Sequence, residues 1–311
     1  MKISRLLLAC LIAATGSAAF AAKFNLKMGH AVNTTDGQHA AALKLAELVK
    51  QRTNGDVEIT IFPSNQLGND GAMINGVRGG TIDIVSSGAS NYNGLVANTA
   101  AMELPFVFRN AQHAYHVLDG DIGTGVLNEL APHNMKGLAY WENGWRAFTN
   151  NKRPVNKPED LKGLKIRSTP NPYHIQAFKL LGMNPSPMPI AELYTALESG
   201  AFDAQEHPIN VTWSSKFYEV QKHLTVSNHV YSPIIVAMNK GKFDSLPANY
   251  QKIVVDAARE AAKYQRDLNA QNAGKVVADL KKSGMQVIEN VDMAPFQKIV
   301  SAEIAKTFGE K

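Results

Sequence analysis

One cysteine is all the sequence has, Cys10, and it sits in an N-terminal stretch with the marks of an export signal. Lys2 and Arg5 precede the apolar run LLLACLIAATGSAAFAA, and Ala19 and Ala21 fit the small-x-small cleavage rule. Residues 1–21 are therefore expected to be removed, with the mature chain beginning at Ala22. A mature chain without thiols has no disulfides and must be held by packing. Cys10 after LLLA also resembles a lipoprotein signal, but the apolar stretch ahead of it is short, and lipidation is set aside. No later segment approaches the ~18 apolar residues of a transmembrane helix, so the mature protein is expected to be soluble outside the cytoplasmic membrane. Basic runs are missing too. The formal charge falls from +5 to +3 when Lys2 and Arg5 are lost, and it is spread along the chain, which argues against a nucleic-acid protein. It leaves room for an anionic ligand.

Catalytic signatures are also lacking. There is no G-x-S-x-G elbow, no phosphate-cradling glycine loop, no H-E-x-x-H and no cysteine nucleophile. DGDIGTGVLNE departs from a calcium loop, because Gly123 and Thr124 stand where an oxygen ligand and the glycine belong and Glu129 is one position early; it reads as a turn entering a helix. His113 and His116 can share a helical face, but with no third ligand nearby a solvated face is the better reading. NTT and NVT match glycosylation acceptors by coincidence. No metal and no cofactor are expected.

What the sequence has is a repeating strand and helix grammar. A chain of 311 residues with 45% apolar and 19% charged content is long enough for one large domain or two of ordinary size. FNLKM alternates as a strand, then DGQHAAALKLAELVKQRTNG places Ala42, Leu45, Leu48 and Val49 on one helical face, closed by Gly55. DVEITIF, NDGAMINGVRGG and IDIVSS continue as strand, helix and strand, which predicts parallel pairing in an α/β domain. Ligands in such open sheets sit beyond the carboxyl ends of the strands, here GHAVNTTD, PSNQLGND and SSGASNYN.

The same grammar resumes with GLAYWENGWR and LKGLKIR as strands. PYHIQAFKLLG is a helix closed by Gly182, NPSPMP leads on, IAELYTALESG is a second helix, and AFDAQEHP returns to a strand end. A second α/β lobe is expected. Residues 245 to 284 read as one long helix, with Ser245 as cap, Pro247 in the first turn and Gly284 at the end. At about 35 residues it extends roughly 50 Å, longer than one small lobe needs, so it is expected to lie along both.

Cations and hydrogen-bonding side chains collect at the predicted strand ends: Arg146 after WENGW, Arg167 after LKI, Asn171 beyond it, and His207 in QEHP. Alternation in LKGLKIR puts Leu164 and Ile166 on one face, with Lys165 and Arg167 on the solvated other. Two guanidiniums at neighbouring strand ends can clamp one carboxylate bidentately, a geometry lysine does not reproduce. Each residue also fits a bland role: Arg146 stacked on Trp141 or Trp145 at the surface, Arg167 as an exposed charge, His207 as a turn histidine beside Pro208. Pattern alone leaves the two readings near even.

The order of the motifs shifts that balance. NQLGND, ELPFVF, WENGWRAFTNNKRPVNKPEDLKGLKIRSTPNP, GMNPSPMPIAELYTALESGAFDAQEHP and KFYEVQKHLTVSNHVYSP resemble, in sequence and spacing, the substrate-binding proteins of tripartite ATP-independent periplasmic (TRAP) transporters. The resemblance covers essentially the whole mature chain. It implies two α/β lobes joined by hinge strands, 22–144 with about 233–272 and 145–232 with about 273–311, a long helix spanning both, and an organic acid trapped as the lobes close. It implies Arg167 as the main carboxylate-binding residue, Arg146 as its support, Ile190 where the family often has an aromatic wall, and His207 in place of the usual asparagine of Q-E-N-P. That last departure adds a group able to titrate near neutral pH. First-lobe contacts are expected from His30 to Asp36, Asn69, Asp70, and Ser87 to Asn91. WENG and the lack of a second arginine clamp favour a hydroxylated monocarboxylate such as a sugar acid. Trp145, Trp213 and Tyr231, as a flat apolar wall, leave a small aromatic or cyclic acid such as pyroglutamate open, and a dicarboxylate is the other alternative ligand.

The function expected is thus a periplasmic receptor delivering an organic acid to the membrane permease subunits of a TRAP transporter, acting as a monomer. Two other classes compete. An exported enzyme on sugar acids would use Glu142, Asp70 and His207 as an acid/base set, and turnover of a bound acid would identify it. A sensor would bind the acid without supporting transport.

Overall fold

The computed structural model describes residues 22–309, so the expected signal over 1–21 and Cys10 lie outside the described residues. Strand β1 (Phe24–His30) pairs in parallel with β2 (Val57–Phe62) and β3 (Ile84–Gly88), with α1 (Gly37–Arg52) and α2 (Asp70–Gly79) as crossovers. Asp36 caps α1, and the expected face Ala42, Leu45, Leu48 and Val49 is buried together with Ala41. Three short helices, α3 (Asn98–Ala101), α4 (Ala111–Asp119) and α5 (Asp121–Asn128), lead to β4 (Met135–Asn150). The expected turn at DGDIGTG is therefore already helix from Asp121.

The second run contains β5 (Lys165–Ser168), α6 (Pro172–Leu180), β6 (Asn184–Pro187), α7 (Ile190–Glu198), β7 (Ala204–Pro208), α8 (Ile209–Ser214) and β8 (His223–Thr225). The chain then returns through β9 (Tyr231–Asn239) and the short α9 (Lys240–Asp244) to α10 (Ala248–Lys282), β10 (Gln286–Ile288) and α11 (Ala294–Gly309). The strands follow the order β2-β1-β3-β9-β4-β7-β5-β6, with β8 beside β4 and β10 beside β8.

Several elements differ from the sequence expectation, each for a physical reason. β9, an apolar run with all nine residues buried, carries no alternation to announce it, yet it fills the centre of the sheet between β3 and β4. β6 forms from NPSPMP, which reads as a connector; two prolines are tolerated there because it is an edge strand paired only with β5. β4 does not stop at Arg146 but runs on to Asn150, since Arg146–Asn150 pair antiparallel with β7. Ser245 ends α9 instead of capping the long helix, whose N-cap is Pro247; Gly284, at φ +95°, closes it as expected.

β4 is the shared element of the sheet. β9 covers one side of it over Met135–Trp145, and on the other side β7 arrives only at Arg146. The change of partner follows Gly144, at φ +123°, where an added Cβ would meet the Pro208 Cβ at 3.2 Å; only glycine sits there without strain. Over Tyr140–Glu142 the edge that β7 does not reach is met by α10. Gln265 donates from Nε2 to the Glu142 carbonyl and accepts from the Glu142 N–H, both at 2.9 Å. Arg266 Nη2 donates to the Tyr140 carbonyl at 3.0 Å, and Trp141 Nε1 donates to the Ala258 carbonyl at 2.9 Å. α10 also touches α1 on one side of the molecule and α8 and β10 on the other, so it lies along both halves.

Gln265 thus acts as a substitute strand neighbour. Gln265→Ala strands a buried N–H and a buried carbonyl, and is expected to lower the unfolding free energy by ~2–3 kcal/mol in chemical denaturation. A loss below ~0.5 kcal/mol would show the strap to be dispensable.

Candidate functional site

Where β3, β4, β5, β7 and β9 converge, a polar cavity opens between the two halves of the sheet. From the first half it takes Gln38, Asp70, Ser87, Ser90, Asn91 and Glu103; from the second, Arg167, Thr169, Ile190 and His207; from the shared strands β4 and β9, Asn143, Arg146 and Ser232. Seven of the residues singled out in the sequence come together here: Arg167, Arg146, His207, Ile190, Asp70, Ser87 and Asn91.

Arg146 is 1% exposed and points at Glu206 on β7. Its Nε donates to Glu206 Oε2, its Nη2 donates to Glu206 Oε1 at 2.7 Å and to the Glu206 carbonyl at 2.6 Å, and its Nη1 donates to Ser232 Oγ at 3.3 Å. Burial disfavours both charges, but each partner outweighs it for the other. Arg146 is held above the ordinary guanidinium range and Glu206 well below the ordinary carboxylate range. Arg146 is therefore neither a surface cation nor a free clamp. Ser232 and Ser90 donate in turn to the two oxygens of Glu103, itself 1% exposed.

Arg167 differs in its partners. It is 5% exposed, not on a solvated face, because its side chain turns into the cavity between the halves, against the Met188 carbonyl and His207. Nε donates to the Met188 carbonyl at 2.7 Å and Nη1 lies 3.4 Å from His207 Nε2. Among the described residues no carboxylate pairs with it. Burial, with Arg146 nearby, lowers it to about 10, and the carboxylates of Glu206 and Asp70 oppose that shift. His207 is pushed well below the ordinary histidine range by burial and by both guanidiniums, so it is neutral. Across the cavity Asp70 accepts from Ser87 Oγ at 2.6 Å, and Ser87 Oγ accepts from Asn91 Nδ2 at 2.9 Å. Burial raises the Asp70 carboxyl, against the hydrogen bond from Ser87 and the charge of Arg167.

Ala31, Val32, Gly88 and Ser90 from the expected ranges line the cavity too, and the remaining expected contacts lie elsewhere. Asn171 caps α6 and donates to the Ala100 carbonyl at 3.2 Å. Asn69 caps α2, and Asp36 caps α1 while its second oxygen accepts from Ser214 Oγ at 2.9 Å. His30 is buried against His39, 3.0 Å away, and burial lowers it to about 4. Trp145 and Trp213 line a separate groove of about 860 Å³ under α10, with Trp213 stacked on Tyr218, and Tyr231 is buried with its hydroxyl 3.1 Å from Glu142. Among the described residues no Phe, Tyr or Trp lines the polar cavity. Glu142 belongs to that groove too, so the acid/base set of Glu142, Asp70 and His207 is not assembled. Among the described residues no group of three or more His, Cys, Asp or Glu can hold a metal ion, which leaves His113 and His116 unmatched.

Glu206, Glu103, Ser232, Gln38 and Asn143 were not singled out from sequence. Glu206 carried a signal: an acid in the middle of a short strand that returns to the sheet needs a cationic partner if it is buried.

Two α/β halves that share strands and a long helix, with a polar cavity between them that holds a buried arginine without a carboxylate partner, have the architecture of a binding protein for a small anion. Residues 28–311 match the bacterial extracellular solute-binding proteins, family 7, and the chain belongs to that family. It is 46% identical over 297 residues to the 2,3-diketo-L-gulonate-binding periplasmic protein of Escherichia coli K12, covering 96% of this chain and 90% of that one. A TRAP periplasmic solute-binding protein from Polaromonas sp. JS666, bound to D-erythronate, superimposes with a TM-score of 0.90 at 37% identity, over 92% of this chain and 95% of that one. The sugar acid binding protein of Advenella mimigardefordensis, in complex with galactonate, gives 0.88 at 32% identity, over 93% of each chain. The members of this family are solute receptors, and this chain is not an enzyme.

The buried pair predicts a large cost. Glu206→Gln leaves Arg146 buried without its counter-charge, and ~3–5 kcal/mol of stability is expected to be lost in urea unfolding. A variant within ~1 kcal/mol of the original would show that water or another carboxylate replaces Glu206.

Proposed function

We propose that the chain is the periplasmic receptor of a TRAP transporter for a hydroxylated monocarboxylic acid of the sugar-acid type. It captures the acid by lobe closure and, working as a monomer, delivers it to the membrane permease subunits. The observation that carries this reading is Arg167: a buried guanidinium at the cavity with no carboxylate partner among the described residues, facing Asp70 and Glu103 on the opposite side. One carboxylate satisfies Arg167. Acceptors such as Asp70 and Glu103 suit hydroxyl donors and oppose a second anionic group, which disfavours a dicarboxylate. With no Phe, Tyr or Trp lining the cavity among the described residues, a cyclic acid has no such ring to stack on. Relatives bind 2,3-diketo-L-gulonate, D-erythronate and galactonate, acids of this chemistry.

In this reading the lobes are 22–144 with about 233–272, and 145–232 with about 273–311, and residues 1–21 direct export. The strand pairing supports the division, since β9 inserts between β3 and β4 while β7 and β8 join only the far end of β4. Closure is driven by contacts the acid makes only when both lobes surround it.

The test is calorimetric titration with 2,3-diketo-L-gulonate, galactonate, D-erythronate and succinate. A sugar acid is expected to bind at least ~10-fold more tightly than succinate, the cost of opposing its second carboxylate to Asp70; succinate as the tightest ligand would overturn the reading. Arg167→Ala is expected to lose ~2–5 kcal/mol of binding, roughly 30- to several-thousand-fold, with Arg167→Lys also weak because a point charge does not make the paired contact. A folded Arg167→Ala protein that binds within a few-fold of the original would remove Arg167 from this role.

A further inference from the structure

Behind Arg167 a single file of buried side chains runs away from the cavity, and its far end sets the direction of every hydrogen bond in it. Gln221 Nε2 donates to the Val220 carbonyl at 3.1 Å and points at the Asp203 carbonyl at 3.4 Å. A carbonyl only accepts, so the amide nitrogen faces these two oxygens and Gln221 Oε1 faces Thr149 Oγ1, 2.8 Å away. Thr149 gives its one hydroxyl proton to Gln221, and its lone pair accepts from Gln205 Nε2 at 2.8 Å. That turns Gln205 Oε1 toward His207 Nδ1, 2.5 Å away, which must carry the ring proton. His207 Nε2 is left bare, facing Arg167 Nη1. Gln205 and Thr149 are 0% exposed and Gln221 2%, and none of the three lines the cavity.

We infer that this chain positions the Arg167 guanidinium for the ligand carboxylate, with Gln205, Thr149 and Gln221 as positioning residues and His207 as the neutral acceptor that ties Arg167 to them. The inference rests on Arg167 being the carboxylate-binding group. Nε is held by the Met188 carbonyl and Nη1 by His207, so the guanidinium plane is fixed from two directions before the acid arrives. The groups that face His207 are Arg167 on β5, Arg146 on β4, Glu206 on its own strand and the Phe217 ring. Burial, and then the two guanidiniums, oppose a second ring proton more than Glu206 favours it, so the acceptor survives as pH falls. Were the ring protonated, both nitrogens would donate and Arg167 would lose its partner.

The experiment reads tautomer and affinity in the full chain. Nitrogen NMR of the unliganded protein is expected to show His207 in the Nδ1–H form, unchanged between about pH 5.5 and 8, where a free histidine titrates. Thr149→Val frees the Gln205 amide to turn, so the ring is expected to shift to the Nε2–H form and galactonate, or whichever acid of the panel above binds most tightly, to bind about tenfold more weakly. Thr149→Ser is expected to restore both readings, which a merely structural role of the methyl-bearing side chain would not. If Thr149→Val fails to fold, Gln205→Met, which removes the acceptor for Nδ1, gives the same two readings. An Nε2–H ring in the original protein, or a Thr149 variant that keeps both tautomer and affinity, overturns the inference. Failure of the original protein to bind any of the acids defeats the carboxylate reading instead, while the tautomer still decides whether the relay exists.

Discussion

Two guanidiniums share one buried site only if one of them is already neutralised, and the pairing of Arg146 with Glu206 does that. Moving a single ion out of water costs several kcal/mol even after relaxation, so two like charges on neighbouring elements would drive the halves apart. Glu206 takes three hydrogen bonds from Arg146, counting its carbonyl, and turns that arginine into part of the scaffold. Among the described residues Arg167 then remains the cavity's arginine without a carboxylate partner. Burial and then the two guanidiniums keep His207 neutral, and burial raises the Asp70 carboxyl against the pull of Ser87 and Arg167.

The halves meet through contacts that double as local caps. Asp36 ends α1 with one oxygen and accepts from Ser214 of the opposite half with the other, while Asn33 Nδ2 donates to the Ser214 carbonyl at 2.7 Å. Asn171 caps α6 and reaches the Ala100 carbonyl, and His174 Nε2 lies 2.8 Å from the Glu103 carbonyl. Glu103 therefore touches the second half through its backbone and the cavity through its side chain. This one residue thus joins the two halves and lines the cavity between them.

Much of the fold is legible in the sequence because it rests on local periodicity. The α1 face, α2, α6, α7 and the long helix follow from apolar spacing and glycine stops. β9 does not, since a central strand buried on both sides has no polar alternation, and β6 does not, since its two closely spaced prolines read as a connector. In the site, Arg167, Arg146 and His207 could be singled out as cations and donors beside turn residues. Their relation could not. Nothing in the local pattern says that Arg146 is matched by Glu206, because that partnership depends on β4 and β7 lying side by side, 60 residues apart in the chain. For the same reason Asp36, Asn69 and Asn171 looked like ligand contacts: a polar residue just before a helix serves equally as a cap, and only the direction of the side chain separates the two.

The short edge strand β6 has a consequence for the molecule in crowded company. Asn184 turns its N–H inward to the Leu164 carbonyl, and successive residues of a strand point their N–H groups in opposite directions. The outward positions therefore fall to residues 185 and 187, both proline, which have no N–H to offer. Along these four residues a strand from another molecule would find no donor to zip onto. At this edge of the sheet, a protein without a disulfide to lock it thus carries its protection against edge-to-edge polymerisation in the backbone chemistry of two residues.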